Sequence, residues 1–196
     1  MADPTSDLFE MRRLESLSNT IFGVAMTLLA NDLPKAGGFT TMPTWSDLAQ
    51  LYSGRVTGLI LSFIIAGVFW ISHHRRLVRQ PEAGRHIVLL NLMFLLSIVL
   101  LPVTNGLYGN YGASSAVAVL FGLHLTMIAG LNAALWWLAM HGFRHQLIAA
   151  LFPLAVFVPG TAVAAFAPEY ATYVWFLAFG GLLIRRRMDT ATNVKA

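Results

Sequence analysis

From His86 to Leu107 the chain reads HIVLLNLMFLLSIVLLPVTNGL, a run without one Asp, Glu, Lys or Arg. In water such a run must be buried on every side. In a bilayer it needs only to satisfy its own backbone, and a helix does that internally. Five further segments have the same character: Leu14 to Leu33, Val56 to Ser72, Ala113 to Met140, Leu147 to Phe166 and Tyr170 to Ile184. Each is about long enough to cross roughly 30 Å of hydrocarbon. The whole chain is 57% hydrophobic and 11% charged, where a soluble domain carries nearer a quarter charged residues. The reading is an all-α integral membrane protein. Residues 1–196 form one six-helix transmembrane domain, with no cleaved leader expected, because no small-x-small cleavage site follows the first run.

The charges orient the segments. Arg12 and Arg13 precede the first segment, Arg75, Arg76, Arg79 and Arg85 separate the second from the third, and Arg144 separates the fourth from the fifth. Arg185, Arg186 and Arg187 follow the sixth, whereas the alternate loops hold only Lys35 and Arg55. Basic residues collect on the cytoplasmic side. Both termini are therefore expected in the cytoplasm of a cell with a plasma, or inner, membrane. At the start of the second segment, Thr44 or Ser46 is placed to cap a helix running through TWSDLAQLYSGR. Pro102 is expected to break the third helix near its end, and the tryptophans near helix ends read mostly as interfacial anchors.

Several functions are excluded or weakened. Without cysteine there is no thiolate nucleophile, thiolate metal site or disulfide. The net charge of +4 lies between hydrophobic runs and forms no folded basic face, so no nucleic acid is expected. No enzymatic motif or phosphate-binding glycine loop is present, and no cofactor is implied. His73 and His74 are adjacent and point about 100° apart on a helix, so they make no single ligand pair. His124 reads as an interhelical hydrogen bonder. A transporter coupled to protons or ions usually carries a carboxylate near the midplane. Here Asp32 lies at the outer end of the first helix and Glu169 in a loop.

Two constellations remain. Around Val24, steps of three and four place Thr20, Thr27, Leu28 and Asn31 on one face of the first helix. Such a face suits a narrow pore, where hydroxyls replace part of an ion's hydration and an aliphatic ring closes the path. It equally suits a helix contact in which Thr27 bonds back to its own backbone, and periodicity alone leaves the second arrangement the commoner. The other constellation is polar. Arg13, Ser18 and Asn19 open the first helix, and an amide in hydrocarbon needs a partner. Trp70, His73 and His74 at the end of the second helix, and Asn91 in the third, lie at a matching depth. They form either one cluster across three helices or unrelated contacts.

Taken together, RLESLSNTIFGVAMTLLANDL, SFIIAGVFWISHHRRL and NLMFLLSIVLLPVT resemble bacterial homologues of the endolysosomal potassium channel, transmembrane protein 175, across roughly the first 105 residues. That family's R-x-x-x-F-S-D motif maps onto Arg13, Leu17, Ser18 and Asn19, with Leu17 in place of the aromatic and Asn19 in place of the acid. Its Trp-x-x-His-His pattern maps onto Trp70, His73 and His74. Its asparagine and later Pro-x-Thr map onto Asn91, Pro102 and Thr104.

The resemblance implies a homotetramer around a central pore lined by the first helix of each subunit, permeable to K+ and other monovalent cations, with modest preference for K+ over Na+. It further implies a constriction at Val24 or, because valine is small, at Leu28, and a role for Thr27 in ion preference. The motif residues are implied to bond to the Trp, His and Asn of the next two helices. An amide at Asn19 makes neutral bonds where a carboxylate makes charge-assisted ones, so a less firmly held motif is expected. A secondary transporter for a small solute or proton is the alternative.

Overall fold

The computed structural model describes residues 9–33, 42–79, 82–139 and 144–179. Six α-helices follow one another: α1 (Met11–Leu28), α2 (Trp45–Val78), α3 (Arg85–Tyr111), α4 (Ser115–Ala139), α5 (Arg144–Phe166) and α6 (Pro168–Phe176). α1 tightens into a 3-10 turn at Leu29–Asp32, and α6 into another at Leu177–Phe179. Two short strands form an antiparallel ribbon, β1 (Phe9–Glu10) and β2 (Glu82–Ala83). The ribbon ties the entry of α1 to the connection between α2 and α3.

By length and composition, four helices are able to cross a membrane: Trp45–Val78, Arg85–Tyr111, Ser115–Leu138 and Leu147–Phe166. α1 has 18 residues and begins with two arginines. α6 has nine, and the end of the sixth expected segment, with its arginine run, lies outside the described residues.

Local chemistry accounts for the boundaries. Thr44 caps α2: its Oγ1 accepts from the Asp47 amide at 3.3 Å, and Asp47 Oδ2 accepts from the Thr44 amide at 2.8 Å. This reciprocal box satisfies two amides that the helix itself leaves free. α2 then runs for 34 residues, roughly 50 Å at 1.5 Å per residue. It therefore overshoots the hydrocarbon, and Trp45 at its start is almost fully exposed.

Pro102 does not end α3 as expected. The helix continues to Tyr111. Proline removes one amide donor and crowds the carbonyl four residues earlier, here that of Ile98, yet the helix carries on past it. Beside the proline, His124 Nε2 of α4 lies 3.0 Å from Ser97 O. A carbonyl only accepts, so Nε2 carries the proton, and Nδ1 accepts from the Thr104 hydroxyl at 2.7 Å. His124 is thus the interhelical hydrogen bonder that its position suggested.

The core lies where α2, α3, α4 and α5 meet, built on Leu61, Ile65, Phe69, Phe94, Ile98, Phe121 and Phe157. α1 packs against α2 and α3, and α6 against α5. Two tryptophans expected at the interface are instead internal. Trp136 is buried and donates to Ser72 Oγ at 2.9 Å. Trp175 is fully buried, edge-on to Tyr108 and Phe121 with ring centroids 5.5 and 5.4 Å away. Gly122 and Gly160 make room for it: a Cβ on either would collide with the indole.

Candidate functional site: the exposed face of α1 and the polar hub behind it

α1 has two faces of different chemistry. Leu14, Ser18, Phe22, Ala25 and Leu29 are buried, at steps of four and three. They carry the helix onto α2 and α3. Thr20, Val24, Thr27, Leu28 and Asn31 are exposed on the other side. Val24 is 53% and Leu28 46% exposed. Among the described residues, Thr20, Val24, Thr27 and Leu28 are left exposed on this face.

The threonines on it do bond back to their own helix. Thr20 Oγ1 donates to Ser16 O at 3.0 Å, and Thr27 Oγ1 donates to Val24 O at 2.8 Å. That arrangement does not oppose contact with a cation. With its single proton committed to the backbone, each hydroxyl presents only acceptor lone pairs outward. The two arrangements left open by the periodicity coexist in one side chain.

Behind α1 the polar residues separate into an outer and an inner set. In the outer set, Trp70 Nε1 donates to Asn19 Oδ1 at 2.9 Å, joining α2 to α1. The Trp70 indole stacks on His74 at 5.8 Å, and His74 Nδ1 lies 3.1 Å from Glu15 Oε1. Arg13 and Leu17 are exposed at the start of the same helix. Ser18, though fully buried, donates its single proton to its own Leu14 O at 2.6 Å.

The inner set is centred on a residue that the sequence reading counted only as a loop cation. Arg76 is fully buried, as are His73 and Asn91. Its Nη2 lies 2.9 Å from His73 Nδ1 and 2.8 Å from Asn91 Oδ1. The available signal was the spacing: His73 and Arg76 are three apart, so a helix continuing past the histidines puts them on one face. The sequence reading ended the membrane segment at Ser72, whereas α2 ends at Val78. The four expected residues Asn19, Trp70, His73 and Asn91 are thus all engaged, but Asn19 and Asn91 belong to different sets. Among the described residues no group of three or more metal-ligating side chains occurs.

Comparison with known proteins gives a consistent picture. The family profile described as the endosomal/lysosomal potassium channel TMEM175 matches residues 13–102. A potassium channel of Streptomyces collinus is 28% identical over 134 residues, covering 65% of this chain and 64% of that protein. One from a Chryseobacterium species is 25% identical and is covered over 58% of its length. The chain thus spans somewhat less than two thirds of these two relatives. A potassium channel of Chamaesiphon minutus is 26% identical over 180 residues, covering 85% of this chain and 87% of that protein. The fold is similar to the crystal structure of a lysosomal potassium-selective channel TMEM175 homolog from Chamaesiphon minutus, with a TM-score of 0.74 at 21% identity over 88% of this chain and 96% of that one. It is also similar to that of the potassium channel MtTMEM175, at 0.60 and 16% identity over 91% of this chain and 93% of that one.

Proposed function

We propose that the chain, whose residues 13–102 match the TMEM175 potassium-channel profile and whose relatives are potassium channels, is a member of that family and forms a K+-permeable cation channel. The family is one of channels and not of enzymes, and the proposed activity needs no cofactor beyond the permeant ion. The proposed assembly is a homotetramer of six-crossing subunits in the plasma membrane, both termini cytoplasmic, with α1 of each subunit facing a central pore.

The observation that carries the proposal is the exposed face of α1. One flank packs on α2 and α3, while Thr20, Val24, Thr27, Leu28 and Asn31 stand uncovered in a line along the other. Around a symmetry axis that line becomes stacked rings. A ring of Val24, or of Leu28 one turn on, gives a dry constriction that closes by expelling water. A ring of Thr27 oxygens, acceptors only, replaces part of the hydration shell of K+ beside it and favours it modestly over Na+.

Ion flux into liposomes carrying the purified protein tests the proposal. Passive uptake of K+ down its gradient is the expected result. Saturable uptake with counterflow, and no single-channel current, would indicate a transporter instead.

A further inference from the structure

We infer that Arg76 is a positioning residue for the pore-facing helix, acting through His73. The inference rests on α1 lining the pore. Arg76 itself touches no part of the proposed ion path.

Arg76 does not behave as a topogenic surface cation. Its neighbours Arg75 and Arg79 are exposed, whereas Arg76 is fully buried. Among the described residues no carboxylate pairs with it. A buried guanidinium without an acid is costly to maintain, and its Nε and Nη1 find no acceptor. Such a group is poorly explained as a source of stability. Its geometry explains it better.

Guanidinium is a donor only. Nη2 has two hydrogens, and the two acceptors around it, His73 Nδ1 and Asn91 Oδ1, lie at 2.9 and 2.8 Å. The histidine must therefore accept through Nδ1. Its ring is neutral, with the proton on Nε2. One arginine nitrogen thus fixes both the tautomer of an α2 side chain and the rotamer of an α3 amide.

The imidazole so fixed belongs to a three-ring cluster with two phenyl rings, which also lie 6.0 Å from each other. Phe94 of α3 stacks on it at 5.4 Å with an interplanar angle of 26°, and Phe22 of α1 meets it at 5.9 Å and 40°. Phe22 is fully buried on the flank of α1 opposite Val24. The rotation and radial position of α1 therefore follow where the His73 and Phe94 rings stand together. A small turn of α1 about its axis would move Val24 and Thr27 relative to the axis of the pore.

The test combines a spectroscopic signature with flux. Ring 15N shifts of His73, assigned by their loss in His73→Asn, are recorded in the reconstituted protein. The native protein should show the Nε2-protonated tautomer. Arg76→Met should abolish that single tautomer and lower the K+ to Na+ flux ratio several-fold. Arg76→Lys, which keeps a charged multiple donor, should restore both in part. Retention of the native His73 signature and flux ratio in Arg76→Met would overturn the inference. If Arg76→Met fails to assemble, Arg76→Lys decides: a native tautomer with a collapsed flux ratio would overturn it, and joint retention supports it. Absence of K+ flux in the native protein would sink the channel reading, while the tautomer comparison would still judge the Arg76–His73 contact.

Discussion

Arg76 Nη2 and Asn91 Oδ1 are 2.8 Å apart, 15 residues apart in sequence and both inaccessible to solvent. This contact joins the end of α2 to the start of α3 across the connection that bears β2, and β2 pairs with the strand just ahead of α1. Three helices therefore meet through one hydrogen-bonded pair and one two-residue ribbon. Asn91→Leu keeps the branched outline of the side chain, at a larger volume, and removes the acceptor. Loss of a bond to a charged donor should cost about 2–3 kcal/mol, read as a lower thermal midpoint of the detergent-solubilised protein.

At Val24 and Thr27 the expected effects separate. Val24→Ala should raise basal K+ flux, because a smaller apolar ring holds water more readily. Thr27→Ala should lower the K+ to Na+ flux ratio and leave assembly intact, since its hydroxyl bonds only to its own helix. An unchanged basal flux in the first variant would move the constriction to Leu28. An unchanged ratio in the second would remove Thr27 from ion preference.

Asn19 accepts from Trp70 Nε1 at 2.9 Å, as an uncharged amide. Asn19→Asp should strengthen this bond about twofold through charge assistance and raise the thermal midpoint. In a Trp70→Phe background, which keeps an aromatic ring over His74 but has no N–H, the same substitution should give no gain. A double-mutant cycle on the midpoints measures the difference.

Gly160 and Gly122 face Trp175. Gly160→Ala should push the indole out of its place between Tyr108 and Phe121 and destabilise the α5–α6 unit by about 1–3 kcal/mol. Trp175→Phe in the same chain should recover part of the loss, because it removes the pyrrole ring that Cβ would strike. Tryptophan fluorescence and the thermal midpoint report the two effects.

How legible was all this in the residues? The helical class and the two faces of α1 were, because a bilayer admits few structures and a helix repeats every 3.6 residues. The Thr44 cap was legible as well, since capping depends on residues three apart. The continuation of α3 past Pro102 to Tyr111 was not, because whether a proline ends a helix depends on the packing around it. Trp175 looked like an interfacial anchor; only the approach of Gly122 and Gly160 from other helices makes room for it inside.

The sequence by itself determined the all-helical class, four of the six expected apolar spans, and the line Thr20, Val24, Thr27, Leu28 and Asn31 along α1. All of these follow from local periodicity and hydropathy. Tertiary structure decided which polar side chains meet: Trp70 with Asn19, and Arg76, not Arg13, with His73 and Asn91. The physical reason is burial. An arginine near a helix end is ordinarily solvated, and only the packing of α1 and α3 around the last turns of α2 takes Arg76 out of water and commits its donors to two chosen acceptors.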